Sequence, residues 1–307
     1  MFAAIAGCLC SVAIADDRDR DTPDVAAMMA NLKNESPEVR IAAARAIGKL
    51  GPSAKQAVSA LAAATKDKDE KVREMALFSL RFMGPGAREA ISAISDALKD
   101  KDDEVRCVAA DTLGQLGSLA KSSVPALAAA LKDKEAGPHA AQALGAIGPD
   151  AKSAAPALLD ALQVETLRPS AALALGRMGK EGLPALQKAL ADEDSDVRVA
   201  AVLAVRLNGK AAIPLLIAAA RDKEYEVRLN AVAELGKFGP DAATAVPVLI
   251  PLLKDLGEEL RYQAATALGN IGPAAKDAIP RLNATKRDKS TKVAEAAGLA
   301  VQKIQGK

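Results

Sequence analysis

Charge recurs in this sequence at fixed distances. An arginine follows an apolar anchor residue at Arg40, Arg73, Arg106, Arg168, Arg198, Arg228 and Arg261. An aspartate stands five residues before the anchor at Asp67, Asp100, Asp192, Asp222, Asp255 and Asp288. Guanidinium and carboxylate groups in such register make charge-assisted, often bidentate hydrogen bonds. Two uses follow: a ribbon of charge for a ligand, or a ladder that caps helices and stitches adjacent layers. Recurrence in nearly every period favours the ladder, since a repeated interface needs the same contact everywhere.

Groups for nucleophilic, acid–base or metal chemistry are sparse. The one histidine, His139, is followed by Ala140, which leaves no material for a His-rich metal site or a confident Ser-His-Asp set. We expect His139 to face solvent or to cap a helix after Pro138. The stretch "GPGAR" from Gly84 lacks the Lys-Ser/Thr of a phosphate loop. Outside the N-terminal apolar run the only thiol is Cys107, at a helical position where a lone cysteine is usually a small buried hydrophobe. No catalysis, cofactor or metal is expected. Lys and Arg total 41 against 39 Asp and Glu, a formal charge of +2 that gives no reason to expect a nucleic-acid partner. Clustering of Arg45, Lys49, Arg177 and Lys237 on one face would revive that class.

The elements that carry these residues repeat. Anchors fall at Val39, Val72, Val105, Ala136, Leu167, Val197, Val227, Leu260 and Val293, spaced 33, 33, 31, 31, 30, 30, 33 and 33 residues. The fullest copies add glycines nine and twelve residues after the anchor. A period near thirty residues over most of the chain marks a solenoid. Each period holds two helical segments. In "SPEVRIAAARAIGKLG", Ser36 suits the N-cap, Pro37 the first turn and Gly51 the stop. Asp69, Asp102, Asp133, Asp194 and Ser290 repeat the cap three residues before their anchors. The second segment is shorter, with a proline (Pro125, Pro156, Pro184, Pro214, Pro247, Pro280) in its first turn. No stretch alternates at period two. The spacing therefore predicts an all-α solenoid of about nine helix pairs without β-strands, over residues 23–305, on the order of 80–90 Å long.

Two copies depart from the phrase. Pro138 and Pro169 stand two residues after their anchors. Those helices should start late, with Gly137 or its neighbours as cap, and curvature should change between residues 133 and 212.

The N-terminus, "MFAAIAGCLCSVAIADDRDRD", reads as an export signal: an apolar run from Phe2 to Ala15 ending in Ala13-Ile14-Ala15, with cleavage expected before Asp16. Residues 16–22 are then a polar linker. A second reading takes Ile5–Cys8 as a lipoprotein box with Cys8 lipidated. The run stays apolar beyond Cys8, which favours cleavage after Ala15. The run is too short for a permanent membrane span. Export to the periplasm or exterior, as a monomer, is the expectation.

The phrases "DKDEKVREMALFSLRFMG" and "DEDSDVRVAAVLAVRLNG" resemble HEAT repeats of the phycobilisome-lyase-like subclass over about residues 23–305. That resemblance implies a superhelical scaffold whose anchor helices line the concave face. Two catalytic relatives come with it. A di-iron hydroxylase built from such repeats implies several His-Glu pairs, which one histidine cannot supply. A bilin-lyase-like accessory protein or enzyme subunit, holding a ligand in its groove, is the alternative function.

On an anchor helix the buried stripe should take the anchor and positions four, seven, eight and eleven after it, leaving positions two, three, six and ten to the groove. The resulting binding candidates are Arg45, Lys49, Met75, Phe78, Phe82, Leu173, Arg177, Leu203, Leu207, Leu229, Lys237 and Tyr262. Cys107, Val108, Asp111 and His139 fall in the same columns. Phe78 and Phe82, four residues apart in a chain with six aromatics, are either a binding patch or a filling over alanine-rich layers. The expected function is a non-catalytic scaffold that binds a protein or peptide on its concave face.

Overall fold

The computed structural model describes residues 24–306. They form nine layers, each pairing a short helix with a longer one, and no strand occurs among them. The pairs are α1 (Val25–Asn31) with α2 (Pro37–Leu50), α3 (Val58–Ala64) with α4 (Glu70–Met83), and α5 (Ile91–Ala97) with α6 (Asp103–Leu116). Next come α7 (Val124–Ala130) with α8 (Ala136–Ile147), α9 (Ala155–Ala161) with α10 (Arg168–Arg177), and α11 (Leu183–Ala189) with α12 (Ser195–Val205). The last three are α13 (Ile213–Ala219) with α14 (Tyr225–Lys237), α15 (Val246–Leu252) with α16 (Glu258–Ile271), and α17 (Ile279–Thr285) with α18 (Thr291–Ile304). This is an all-α solenoid.

Each boundary follows from local chemistry. The Ser36 hydroxyl accepts the Val39 N–H, and the carboxylates of Asp69, Asp102 and Asp194 accept N–H groups at the starts of α4, α6 and α12. Ser290 departs from the expectation: it occupies the N-cap of α18 but gives its hydroxyl to Glu258, 2.7 Å away in the preceding layer. The long helices stop at glycines with positive φ, such as Gly51 (54°) and Gly84 (53°), a conformation that costs other residues more. Beyond the stop, the sequence reading missed a 3₁₀ segment, as at Gly51–Ala57. Its buried Ala54 and Ala57 seat the tight turn against the core, and the short helix continues from it.

Proline has the effect expected of it: α8 and α10 start late and have 12 and 10 residues against 14 in α2, α4 and α6, whereas α12, with 11, starts in register and ends early. Of the two caps expected at α8, the aspartate column holds and the glycine does not. Asp133, not Gly137, accepts the Glu135 and Ala136 N–H groups. Gly137 lies inside the first turn, buried where a Cβ would come within 3.0 Å of the Leu131 carbonyl and the Leu167 side chain.

The core runs through every layer, built from the anchor and the residues four, five, seven, eight and eleven after it. Successive long helices pack closely through small residues: a Cβ on Gly48 would meet Ser79 Oγ at 2.7 Å and its Cα at 3.0 Å. Successive short helices barely meet. The long-helix row is therefore the more tightly packed side of the array, and its outward columns form an open face.

The charge columns form the ladder. Arg40, Arg73, Arg198 and Arg261 each grip the aspartate of the next layer (Asp67, Asp100, Asp222 and Asp288) through two bonds of 2.7–3.0 Å. The remaining guanidinium nitrogen donates to two carbonyls of its own loop, as Arg73 does to Asp67 and Lys68. The rungs change where the prolines intervene. Arg106 Nε lies 2.9 Å from Asp133 Oδ2, but at an angle that leaves Nε without a hydrogen bond. Arg168 reaches Asp194 at 3.0 Å and the exposed Asp196 at 3.4 Å, while Asp192 takes Gln163 instead.

Burial alone would push the Asp67, Asp100 and Asp222 carboxyls up. The bonds from Arg40, Arg73 and Arg198, with a backbone N–H two residues on, outweigh it and hold all three below the ordinary range. Arg261 does the same for Asp288.

Candidate binding face

The open face is built from positions two, three, six and ten of each long helix. A helix has only one stripe to bury, and the layers on either side of it leave these columns uncovered. Arg45 and Lys49 project from α2 into solvent, with no acidic partner among the described residues. On α4, Met75 and Phe78 are half-buried against the core, whereas Phe82 is 66% exposed. The two rings thus have different fates: one fills, the other projects.

Leu173, Leu203 and Leu207 are 36%, 42% and 41% exposed and come together across two layers. Between α10 and α12, Leu173 and Leu203 border an open cleft of about 390 Å³, lined also by Pro169, Val199 and Arg206, while Leu207 reaches Gly176 of α10. Arg177 is exposed but turns away from this cleft, its stem passing over Gly145 of α8. Leu229 is half-buried against the core. Lys237 is exposed and paired with Glu234 at 2.7 Å. Tyr262 is half-buried beneath the Lys292 ammonium, which sits 4.0 Å from the ring centre. It borders a second cleft of about 370 Å³ between α16 and α18.

The four basic candidates do not cluster. Arg45 and Lys49 belong to layer one, Arg177 to layer five and Lys237 to layer seven, so roughly 40 and 20 Å separate them at about 10 Å per layer. The face lacks the continuous positive track that phosphates require.

Two column residues behave differently from expectation. Val108 is buried in the core. His139 neither faces solvent freely nor caps a helix: its Nδ1 lies 2.8 Å from Asp111 Oδ1, and Asp111 Oδ2 lies 3.7 Å from Arg81. The chain Arg81–Asp111–His139 crosses three layers at positions nine, six and three of their helices, a diagonal that column-by-column reading hides. The Cys107 thiol is half-buried, and burial with nearby carboxylates pushes it up to about 11, which keeps it protonated and inert. Among the described residues no group of three or more His, Cys, Asp or Glu side chains converges as a metal site.

Sequence reasoning also missed Arg81 and Arg206, which take the place nine residues after the anchor where most copies have glycine, and Leu299, 58% exposed on the last helix. The register contained the signal in each case. The stretch Ser195–Ala219 is long and apolar enough to cross a membrane by length and composition. It is divided by Gly209, with φ of 56°, into α12 and α13, which lie in different layers.

A family model described as HEAT repeats matches residues 12–81, 58–138, 91–169, 165–226 and 213–302. The chain belongs to the HEAT-repeat family. Among solved structures, this HEAT-repeat array is similar to Kap121p bound to Nup53p, with a TM-score of 0.66 and 16% identity over 91% of this chain and 37% of that one. It is similar also to Kap95p in complex with RanGDP, with a TM-score of 0.62 and 15% identity over 91% of this chain and 45% of that one. These likenesses concern the fold, and the array spans less than half the length of either chain. No curated protein matches the sequence.

Proposed function

We propose that the protein is a non-catalytic scaffold that binds a protein or peptide on the concave face of its HEAT array. The observation that carries this is the placement of exposed apolar groups. Of seven large hydrophobic residues exposed among those described, five (Phe82, Leu173, Leu203, Leu207 and Leu299) lie on the open columns of long helices. Exposed apolar groups gathered on one face mark interaction sites more often than chance scatter does. Karyopherins of the same fold, Kap121p with Nup53p and Kap95p with RanGDP, hold protein partners, which agrees with such a use.

The D-x-D-x-x-V-R phrase supports placing these repeats in the phycobilisome-lyase-like subclass, and the apolar run from Phe2 to Ala15, which lies outside the described residues, supports export after cleavage at Ala15; a monomer is the proposed state. N-terminal sequencing and sedimentation of the protein recovered from its host test both points.

The binding reading is tested by panning a random peptide library on the immobilised protein. Selected peptides should lose their binding to a Phe82→Ser/Leu203→Ser/Leu299→Ser variant and keep it on Leu256→Ser, which alters a fully exposed loop leucine away from the face. Selection of nothing, or of peptides indifferent to the triple variant, rejects the reading.

A further inference from the structure

We infer that the cleft between α10 and α12 receives an acidic amphipathic helix whose leucine-type residues recur seven apart, a partner chemistry that deepens and rests on the scaffold reading above. Pro169 starts α10 late, so the first turn that α4 and α16 have is absent at one end of the cleft, which Arg168 and Pro169 line. Its floor is alanine (Ala172, Ala200, Ala204) and its rims are Leu173 and Leu203. Leu207 extends the apolar strip across α10, its side chain reaching Gly176. Nowhere else on the open columns do neighbouring layers both expose leucine at the same position.

Charge decides the flanks. The Arg206 Nε donates to the Leu203 carbonyl at 2.9 Å, which steadies the guanidinium and leaves its terminal nitrogens without a partner among the described residues. The one acidic lining residue, Asp196, is held by Arg168 at 3.4 Å. The strip therefore offers aliphatic surface beside an uncompensated arginine, Arg206, complementary to leucine beside glutamate or aspartate.

Spacing decides the form. Layers repeat at roughly 10 Å, and residues seven apart on a helix are about 10.5 Å apart along its axis. A helix lying along the groove would set one leucine against Leu173 and the next against Leu203. The cleft is open along its length, which suits a ridge of side chains.

The test uses a fluorescein-labelled synthetic helix with leucine at heptad positions a and d and glutamate elsewhere, a lysine-for-glutamate twin, and fluorescence anisotropy with the full chain. The glutamate helix should bind at least about tenfold more tightly than its twin. Leu203→Ser and Arg206→Glu should each weaken it about tenfold, and Phe82→Ser should leave it within about twofold. Arg206→Glu alters an exposed side chain, so its folding, followed by circular dichroism, should be unchanged even if Leu203→Ser proves less stable. Equal binding of the twins, or indifference to both cleft variants, overturns the inference. If the glutamate helix fails while panned peptides still depend on the open face, this partner chemistry is wrong and the scaffold reading stands; if both fail, both fall.

Discussion

At the edge where the long helices begin, Arg40, Arg73, Arg198 and Arg261 make one and the same bidentate contact with the following layer. Less than two turns further along those helices, six residues after the anchor, stand Arg45, Phe78, Asp111, Gln142, Leu173, Leu203, Ala233, Thr266 and Leu299. The first set is uniform because its partner is always another copy of the same phrase. The second set varies because no one contact is required there: Phe78 packs on the core, Asp111 meets His139, Leu173, Leu203 and Leu299 stay exposed, and only Leu173 and Leu203 repeat between neighbours. Uniform positions in such a molecule report the fold, and unconstrained ones report what it touches.

Acid should disturb the edge most. The ladder carboxyls titrate below their ordinary range when folded. Their contribution is therefore complete above the unfolded Asp value of about 3.9 and is lost as pH falls through the lower folded values. Urea midpoints measured from pH 7 down to pH 3 should be flat at first and then drop steeply below about pH 4. A midpoint that began falling near neutrality would point to another group.

Removing a single rung comes next. Arg73→Ala leaves Asp100 charged and largely enclosed and should cost about 3–5 kcal/mol in urea unfolding. A cost below about 1 kcal/mol would make the ladder ordinary surface pairing.

The two phenylalanines sharpen the contrast on one helix. Phe78→Ser removes a ring packed against the core and should cost about 2–3 kcal/mol, whereas Phe82→Ser should stay within about 0.5 kcal/mol of the parent. Comparable losses would place both rings in the core. The smallest effect is chemical: Cys107, pushed up to about 11, should resist iodoacetamide at pH 8 in the folded protein and react readily in urea.

Most of the fold was legible because repetition multiplies weak signals. One Ser, Pro or Gly is poor evidence for a helix end, but the same residue at the same offset in copy after copy is strong evidence. The helix pairs, the Asp–Arg register and the late starts of α8 and α10 were all readable this way. The 3₁₀ segments were hidden, since Gly-Pro-x-Ala specifies a stop without specifying the tight turn that follows it. The fates of Phe78 and Phe82 were hidden too, because both fall in open columns and only the neighbouring layer decides which ring is covered. The Arg81–Asp111–His139 chain escaped for a related reason: contacts that run diagonally across layers follow no single column.

The irregular rung at Arg168 has a mechanical consequence. Elsewhere the stronger rungs join layers through a pair of short bonds shielded from water; here the arginine divides itself between two aspartates, one of them largely exposed. In a stack whose layers hold only their neighbours, tension is carried in series and the weakest joint yields first. Stretched from its ends, this chain should part within layers four to six, where Gly137 leaves α8 without a rung to the next layer and the Arg168 rung is divided; a break at the second joint pulls Leu173 away from Leu203. The place best shaped to hold a partner is also among the first where strain along the rod would be felt.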